Sequence, residues 1–456
     1  MHHQGSKIVI KALTDSKRDR RRFIQFQFDL YKEDPLWIPP LIRDELNSLD
    51  SQTNPGLEGC KLRLWLAMRD GVTVGRIAGV INHRDNKIRD IKAARFCLLD
   101  FIDDVEVAQG LLDTVESWAV EHGMKLVEGP LGLTTFERSA VLIDGFDRLP
   151  TVVSSYNLPY YAGHIEACGF TKEIDYLEHR FQLPSELDPK YHKVAQYVLK
   201  KKGLHIIEKE SRRELRPLGR EIFQLINAAY SDLFEFTPMS DREIDMLIKK
   251  FFSFIDPRFV KLVVDEHETI VAVGVAMPSY SELLQTLQGK LWRLPIAVFR
   301  NQLKGSSDTL DLYLVAVAPE LRNAGLNAIV MQSMHQTAVA AGLKWVETNG
   351  ELETNTRVLS MWKDIDHETH KRRRIFSKTL RPNKSQNPMA KRAGSSERKS
   401  ATANATPGKI SPKISRSASR SPKNSPLNSP IGSVGRATTN AAGTSRTPGV
   451  SGILKT

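Results

Sequence analysis

The stretch VAVAPELRNAGLNAIV (315–330) sets Arg322 three residues before Gly325, between an apolar run and a helical pattern. A strand, a glycine turn and a helix in that order can present backbone N–H groups and a helix N-terminus to an anion such as a pyrophosphate. Gly325 permits close backbone approach, which a Cβ would obstruct, though a tight turn alone also asks for glycine. Around this loop lie groups suited to proton transfer: Tyr313 before it, then Glu347, Glu351, Glu353 and Asn355 after the helix. Carboxylates next to a helix start serve equally as capping and dipole partners, and a strand tyrosine equally as packing. A second set lies in the N-terminal half. His83 follows a strand, Thr134, Thr135 and Glu137 occupy a polar loop, and SSYNLPYY adds Tyr156, Asn157 and Tyr160.

The elements that must hold these residues occur twice. LYKEDPLWIPPLIRDE (30–45) returns as AYSDLFEFTPMSDREI (229–244), matching Tyr31 with Tyr230, Trp37 with Phe236 and Pro39 with Pro238. AVEHGMKLVE (119–128) returns as AVAAGLKWVE (338–347) with six of ten positions identical, in the same order along the chain. Two ordered matches indicate a tandem duplication, with units at 7–185 and 205–380. Each unit reads as an early helix, a two-strand hairpin, a further strand, an amphipathic helix and another strand. Asp70-Gly71 supplies the first hairpin's turn. Val330, Met334, Ala338 and Ala341 make one apolar face in the second unit, and Ala108, Leu111, Leu112, Val115 and Trp118 do so in the first. This order implies a mixed, twisted α/β (α+β) sheet in each unit.

That plan resembles the GNAT (GCN5-related N-acetyltransferase) fold. Residues 7–380 resemble more closely a family of bacterial tandem-GNAT proteins, through DPLWIPPL, VGRIAGVINHRDN, LIDGFD, SYNLPYY, EACGFTKEIDYLEHRF and AVAPELRNAGLNAIV. The resemblance implies acyl transfer from acetyl-CoA or a longer acyl-CoA to an amine, with no metal. Some relatives are thought to acylate long-chain amines, so a small-molecule or lipid-like amine acceptor is implied. The cofactor loop would be Arg322, Asn323, Ala324, Gly325, Leu326 and Asn327, with Asn327 standing where the family has a small residue. Val315 and Val317 would lie on the strand whose amides face the thioester. Asn355 inherits a CoA contact by position. Tyr313, Glu351 and Glu353 are the candidates for catalysis. The family's usual tyrosine acid is missing from TRVLSMWKDID, where Trp362 stands instead. The first unit carries Asp100, Asp103 and Asp104 at the equivalent loop, which would repel a pyrophosphate, so it is expected to bind no CoA. His83, Glu137, Tyr156, Asn157 and Tyr160 are its candidates for the acceptor side. Phe136 and Arg138 depart from the family pattern in that loop, which leaves a catalytically inactive, CoA-binding scaffold as the competing reading.

Charge divides the chain. Of 65 Lys and Arg among 456 residues, 19 lie from Lys371 onward with the single acid Glu397, so the first 370 residues carry a net charge of −6. The basic balance belongs to the tail. From 381 to 456 the composition turns to Ser, Pro, Lys, Arg, Ala and Thr, which cannot offset ordering entropy, and disorder is expected. Six Ser/Thr-Pro pairs, Thr406-Pro407 to Thr447-Pro448, suit a proline-directed kinase. Phosphates there would switch the attraction to an anionic surface, membrane or nucleic acid. No aromatic residue follows Phe376 to stack on bases. Cys60, Cys97 and Cys168 lack paired spacing, which argues against a disulfide framework or zinc site and for a reducing compartment. No secretory signal is read at the start, and no apolar run reaches the roughly 20 residues of a membrane span. A cytoplasmic location is expected, the tail being compatible with nuclear or membrane-surface association. The segment 281–305, with Leu283, Leu284, Leu287, Leu291 and Trp292 at near-helical spacing, reads as a helix over the sheet or an amphipathic lid.

Overall fold

The computed structural model describes residues 7–134, 136–288 and 307–381. Local chemistry sets its elements. After β1 (Val9–Ala12), Ser16 accepts from the Asp19 N–H and starts α1 (Lys17–Leu30). Next come α2 (Ile42–Ser48) and the hairpin β2 (Cys60–Arg69) and β3 (Val72–Asn82). Asp70 and Gly71 make its turn with φ of 50° and 80°, the two left-handed residues such a hairpin requires. Asn82 caps α3 (His83–Arg89), and β4 (Ala93–Phe101) leads to α4 (Val105–Glu121), capped by Asp104. Of the three acids at that loop, Asp104 serves as this cap. β5 (Leu126–Gly129), β6 (Val141–Asp144), α5 (Tyr161–Ala167) and β7 (Thr171–Gln182) complete this half.

A connecting helix, α6 (Pro189–Lys202), ends at the left-handed Gly203. Then follow β8 (His205–Ile207), α7 (Arg212–Leu215), α8 (Gly219–Tyr230) and α9 (Asp241–Phe251), the last opened by a capping box of Ser240 and Glu243. The second hairpin is β9 (Val260–Val264) and β10 (Ile270–Pro278), followed by α10 (Ser281–Leu287). β11 (Thr309–Val317), α11 (Leu326–Ala340), β12 (Trp345–Thr348), β13 (Glu351–Leu352), α12 (Thr356–Leu359) and β14 (Glu368–Thr379) end the described chain. The order α1, α2, β2–β5 thus recurs as α8, α9, β9–β12, as the sequence repeat implies. The tail from 382 and most of the 281–305 segment lie outside the described residues, and with them the kinase, anionic-surface and lid expectations.

Among the described residues both sets of strands share one 14-stranded mixed sheet, with β1-β2-β3-β4-β5-β14-β7-β12-β11-β10-β9-β8 in order and β6 and β13 beside that path. The last strand of each half crosses over. β14 pairs with β5 of the first half, β7 pairs with β12 of the second, and β7 and β14 pair antiparallel with each other. The exchange is symmetric, since β6 pairs β14 while β13 pairs β7. Apolar layers lie on both faces: α4 packs over β2–β5, and α8 and α11 cover β10 and β11. A Cβ at Gly274 on β10 would clash with Val330 of α11, so that face belongs to α11. By alternation, Val273 and Val275 turn to the face under α8.

Candidate active site

β11 and β12 run parallel from Thr309↔Trp345 to Leu312↔Thr348 and then separate. The cause is on the other edge of β11. Val275 pairs with Leu314 while Ala276 pairs with Leu312, which leaves Tyr313 as an extra residue, a bulge that bends the strand and ends its pairing. The backbone groups freed by the separation are partly met by side chains. Asn349 donates its Nδ2 to the Tyr313 carbonyl at 3.2 Å, and Tyr230 donates its hydroxyl to the Val315 carbonyl at 3.0 Å. In an extended strand a residue's N–H and C=O lie on the same edge, so the Val315 N–H faces the same opening.

A cavity of about 500 Å³ passes through this opening. On the α11 face its walls include Leu310, Leu312, Val346, Met334 and Trp362. On the α8 face they include Phe136, Phe223, Ile226, Phe251 and Ile255. The lining is predominantly apolar, with few convergent polar groups, as in pockets built for an apolar ligand.

Of the catalytic candidates, Tyr313 and Glu351 line the cavity and Glu353 does not. Glu351 is held by Trp362, whose Nε1 lies 2.8 and 3.0 Å from its two oxygens. Burial pushes its carboxyl up to about 7, against the smaller opposing effect of that bond. Tyr313 is enclosed by protein yet retains accessible surface, which faces the cavity; burial, then Asp311, holds its phenol well above the ordinary value. Glu353 is turned away into a structural role. Its Oε1 accepts from the Asp175 N–H at 3.1 Å and pairs with Lys172 at 2.7 Å. Asn355 caps α12 by accepting from the Val358 N–H and also lines the cavity.

The Arg322–Asn327 loop lies at the start of α11. Asn323 and Gly325 take left-handed φ of 65° and 86°. The N–H groups of Asn323, Gly325, Leu326 and Asn327 have no partner among the described residues. Four free amides at the positive end of a 15-residue helix fit a pyrophosphate. A Cβ on Gly325 would meet Val198 and Val194 of α6 at 3.1 and 3.2 Å, so the loop is also tightly packed from that side. The Arg322 guanidinium is engaged by Asp232 and the Ala229 carbonyl, both at 2.8 Å, and braces the end of α8. Asn327 Nδ2 points to Met361 Sδ at 3.5 Å, and Leu326 is buried. Val315 lines the cavity; Val317 lies further along the strand, outside it.

From the first-half set the cavity receives Thr134 and Glu137. Burial pushes the Glu137 carboxyl up to about 7, and it accepts from the Leu133 N–H at 2.9 Å. His83 is exposed at the start of α3. Tyr156 donates to Asp34 at 2.7 Å, Asn157 bonds both backbone groups of Leu142, and Tyr160 donates to the Phe101 carbonyl. These three tie loops to the sheet rather than meeting the cavity. Thr135 lies outside the described residues.

The first half's own opening is filled. β4 has an extra residue too, between the pairs Arg76↔Asp100 and Ala78↔Cys97, but Asp100 there binds Arg76, Tyr31 and Tyr161. Tyr31 and Tyr230 match in the sequence repeat, so this signal could have marked Tyr230 as a residue of the second opening. Nothing in the sequence marks Asn349, Arg95, Glu178, Glu235 or Arg373, which also line the cavity and come from separate elements. Asp85, Glu128 and Glu235 approach closely enough to hold a metal ion. Arg89 pairs with all three and Arg95 with two of them, so two guanidiniums already occupy the place of a cation. Among the described residues no helix is long and apolar enough to cross a membrane.

No family model matches the chain. It is 28% identical over 373 residues to Protein YghO of Escherichia coli, covering 80% of this chain and 94% of that protein. It is 26% identical over 373 residues to the bacterial ceramide synthase of Caulobacter vibrioides, covering 79% and 94% respectively. Among solved structures, a tandem GNAT protein from the clavulanic acid biosynthesis pathway superposes with a TM-score of 0.47 at 12% identity, over 83% of this chain and all of that one. A GCN5-related N-acetyltransferase from Sphaerobacter thermophilus gives 0.44 at 13% identity, over 82% and 96%. Both solved structures are named for the GNAT family that the sequence resembles.

Proposed function

We propose that the protein is an N-acyltransferase that moves a long acyl group from acyl-CoA to the amine of an apolar acceptor. The observation that carries this reading is the cavity. It is apolar, it crosses the sheet where β11 and β12 part, and it holds a carboxyl tuned to about 7 beside that opening. The likeness to the ceramide synthase of Caulobacter vibrioides supports a long-chain reaction.

CoA, when bound, supplies the thioester. The free amides of Asn323, Gly325, Leu326 and Asn327 are the groups that would hold its pyrophosphate. Glu351 takes the proton from the acceptor's ammonium or from the attacking amine; a base near the working pH is best placed for that transfer. The amine nitrogen forms its bond to the acyl carbon, and the Val315 N–H faces the carbonyl oxygen as charge grows there. As the carbon–sulfur bond breaks, the leaving sulfur takes up a proton, for which Tyr313, placed at the opening, is the donor in this reading. The enclosing apolar walls keep water from the thioester, which favours amide formation over hydrolysis.

Incubation of the full chain with palmitoyl-CoA and a long-chain amine, followed by mass spectrometry, tests this. The expected result is the amide and one equivalent of free CoA. Binding of palmitoyl-CoA without any amide, across a panel of amines, would leave only a CoA-binding scaffold.

A further inference from the structure

Glu351 has to shed the proton it takes. Each turnover turns an ammonium and a thioester into an amide, a thiol and one free proton, and the walls that hold water from the thioester also hold it from this carboxyl. A row of side chains leads out behind it. Glu351 of β13 pairs with Leu177 of β7, so His179, two residues along, is its diagonal neighbour on the same face. Thr369 of β14 pairs directly with His179 on the other side. His179 Nε2 lies 3.8 Å from Glu351 Oε2, and its Nδ1 lies 3.1 Å from Thr369 Oγ1. The His179 ring is 4% exposed and takes no part in the cavity lining, whereas Thr369 is exposed.

Packing alone does not account for His179 Nε2, a buried nitrogen with no hydrogen-bond partner among the described residues. Such an atom costs free energy unless something else uses it. The titratable groups against the ring among the described residues are Glu351 and His367, the latter from the stretch before β14. His367 meets the ring edge-on, with centroids 4.8 Å apart. Burial first, then His367, pushes the imidazole down to about 4, while burial pushes Glu351 up to about 7. A shared proton therefore rests on the carboxyl, and the ring is neutral, with one nitrogen as donor and the other as acceptor. When Nδ1–H donates to Thr369, Nε2 turns its lone pair to Glu351. Their 3.8 Å separation is too long for a hydrogen bond, and catalytic contacts of this kind often tighten when substrate binds.

We propose that His179 and Thr369 are the exit through which Glu351 passes its proton to solvent without crossing the cavity. The Glu351 O–H bond breaks as Nε2–H forms, Nδ1–H passes to the Thr369 hydroxyl, and that hydroxyl gives its own proton to water. Because Nδ1 loses a proton as Nε2 gains one, no imidazolium has to persist in the buried site. A turn of the ring restores the starting tautomer, and Glu351 is an ionised base again. This rests on the acyl-transfer reading of Glu351. His179 touches neither substrate nor CoA and acts through that carboxyl.

Rapid-quench kinetics of the full chain with palmitoyl-CoA and 1-aminohexadecane at pH 8 test the exit. Glu351 is mostly ionised at the start, so the first turnover of His179→Gln keeps the wild-type rate. Later turnovers need the proton gone and slow by about tenfold or more, and added imidazole restores part of that loss. Thr369→Val gives the same pattern more weakly, and Thr369→Ser stays near the wild type. A melting temperature near the wild type's establishes that each variant folds. Equal slowing of first and later turnovers would make His179 a structural residue, and unchanged later turnovers would send the proton out another way; either overturns the exit. If His179→Gln does not fold, Thr369→Val decides: slowed later turnovers sustain the exit, and unchanged ones remove it. No amide from the wild type overturns the acyl-transfer reading and the exit with it, whereas variants that turn over at wild-type rates overturn the exit alone.

Discussion

Two carboxyls in the cavity titrate near 7, and their positions give them different consequences. Glu351 stands at the opening, so the rate should rise with pH through about 7 as it loses its proton. Glu351→Gln should lower kcat by about 10²-fold or more and flatten that limb of the profile. A pH–rate curve for the variant that keeps the limb would assign the base elsewhere. Glu137 is enclosed further in, and its effect falls on stability. Its carboxyl is raised from 4.5 to about 7 in the fold, so the native state holds an extra proton between those values. Stability from this site is full below pH 4.5 and is lost as pH rises through 7, by about 3 kcal/mol at the upper limit. Glu137→Gln should therefore gain on the wild type in thermal melts at pH 8 relative to pH 5. At this scale the sequence was partly legible. Tyr313, Glu351 and Asn355 follow from their places near a recognisable loop, whereas Glu353 differs from Glu351 in lying one residue past the end of β13, whose extent is set by its pairing with β7. That is a matter of strand register, which no local pattern states. The polar cluster of Glu178, Arg373, Arg95 and Glu235 is assembled by long-range pairing alone.

At the scale of elements, the loop before α11 and the bulge in β11 do separate jobs. The bulge opens the strand edge, and the loop leaves four amides free. Gly325→Asp would set a carboxylate among those amides and press a Cβ on Val194 and Val198 of α6. CoA affinity measured by calorimetry should fall by at least tenfold, since the helix end that favours an anion would face a like charge. Unchanged affinity would detach CoA from this loop. Hairpins, caps and amphipathic helices were legible in sequence because each depends on near neighbours: Asp70-Gly71, Asp104 and the α11 apolar face are examples. The bulge was not, because Tyr313 is a residue that also suits a regular strand and only the register against β10 makes it extra.

For the whole molecule, the duplicated order of elements was legible from two short repeats, but the exchange of β7 and β14 was not. Either strand satisfies the same alternation in its own half or in the other, so the choice lies in the assembled sheet. The exchange makes the halves interdependent. Each lacks the strand that lies beside its own β5 or β12. Fragments 7–185 and 205–381 should each fail to give dispersed amide spectra alone and should recover them when refolded together. A fragment that folds by itself would show that its last strand can return home. The same exchange brings Glu178 and Arg373 to the cavity, so the site belongs to the joined halves and not to either one.

Transfer of an acyl chain to an amine in this cavity can be followed in a single-turnover reaction. Enzyme in excess over palmitoyl-CoA is mixed with a long-chain amine, and amide and free CoA are followed together by mass spectrometry. One amide is expected for each CoA released, formed at least about 10²-fold more slowly in Glu351→Gln. CoA release with free palmitate and no amide, or the same rate in the variant, would contradict it.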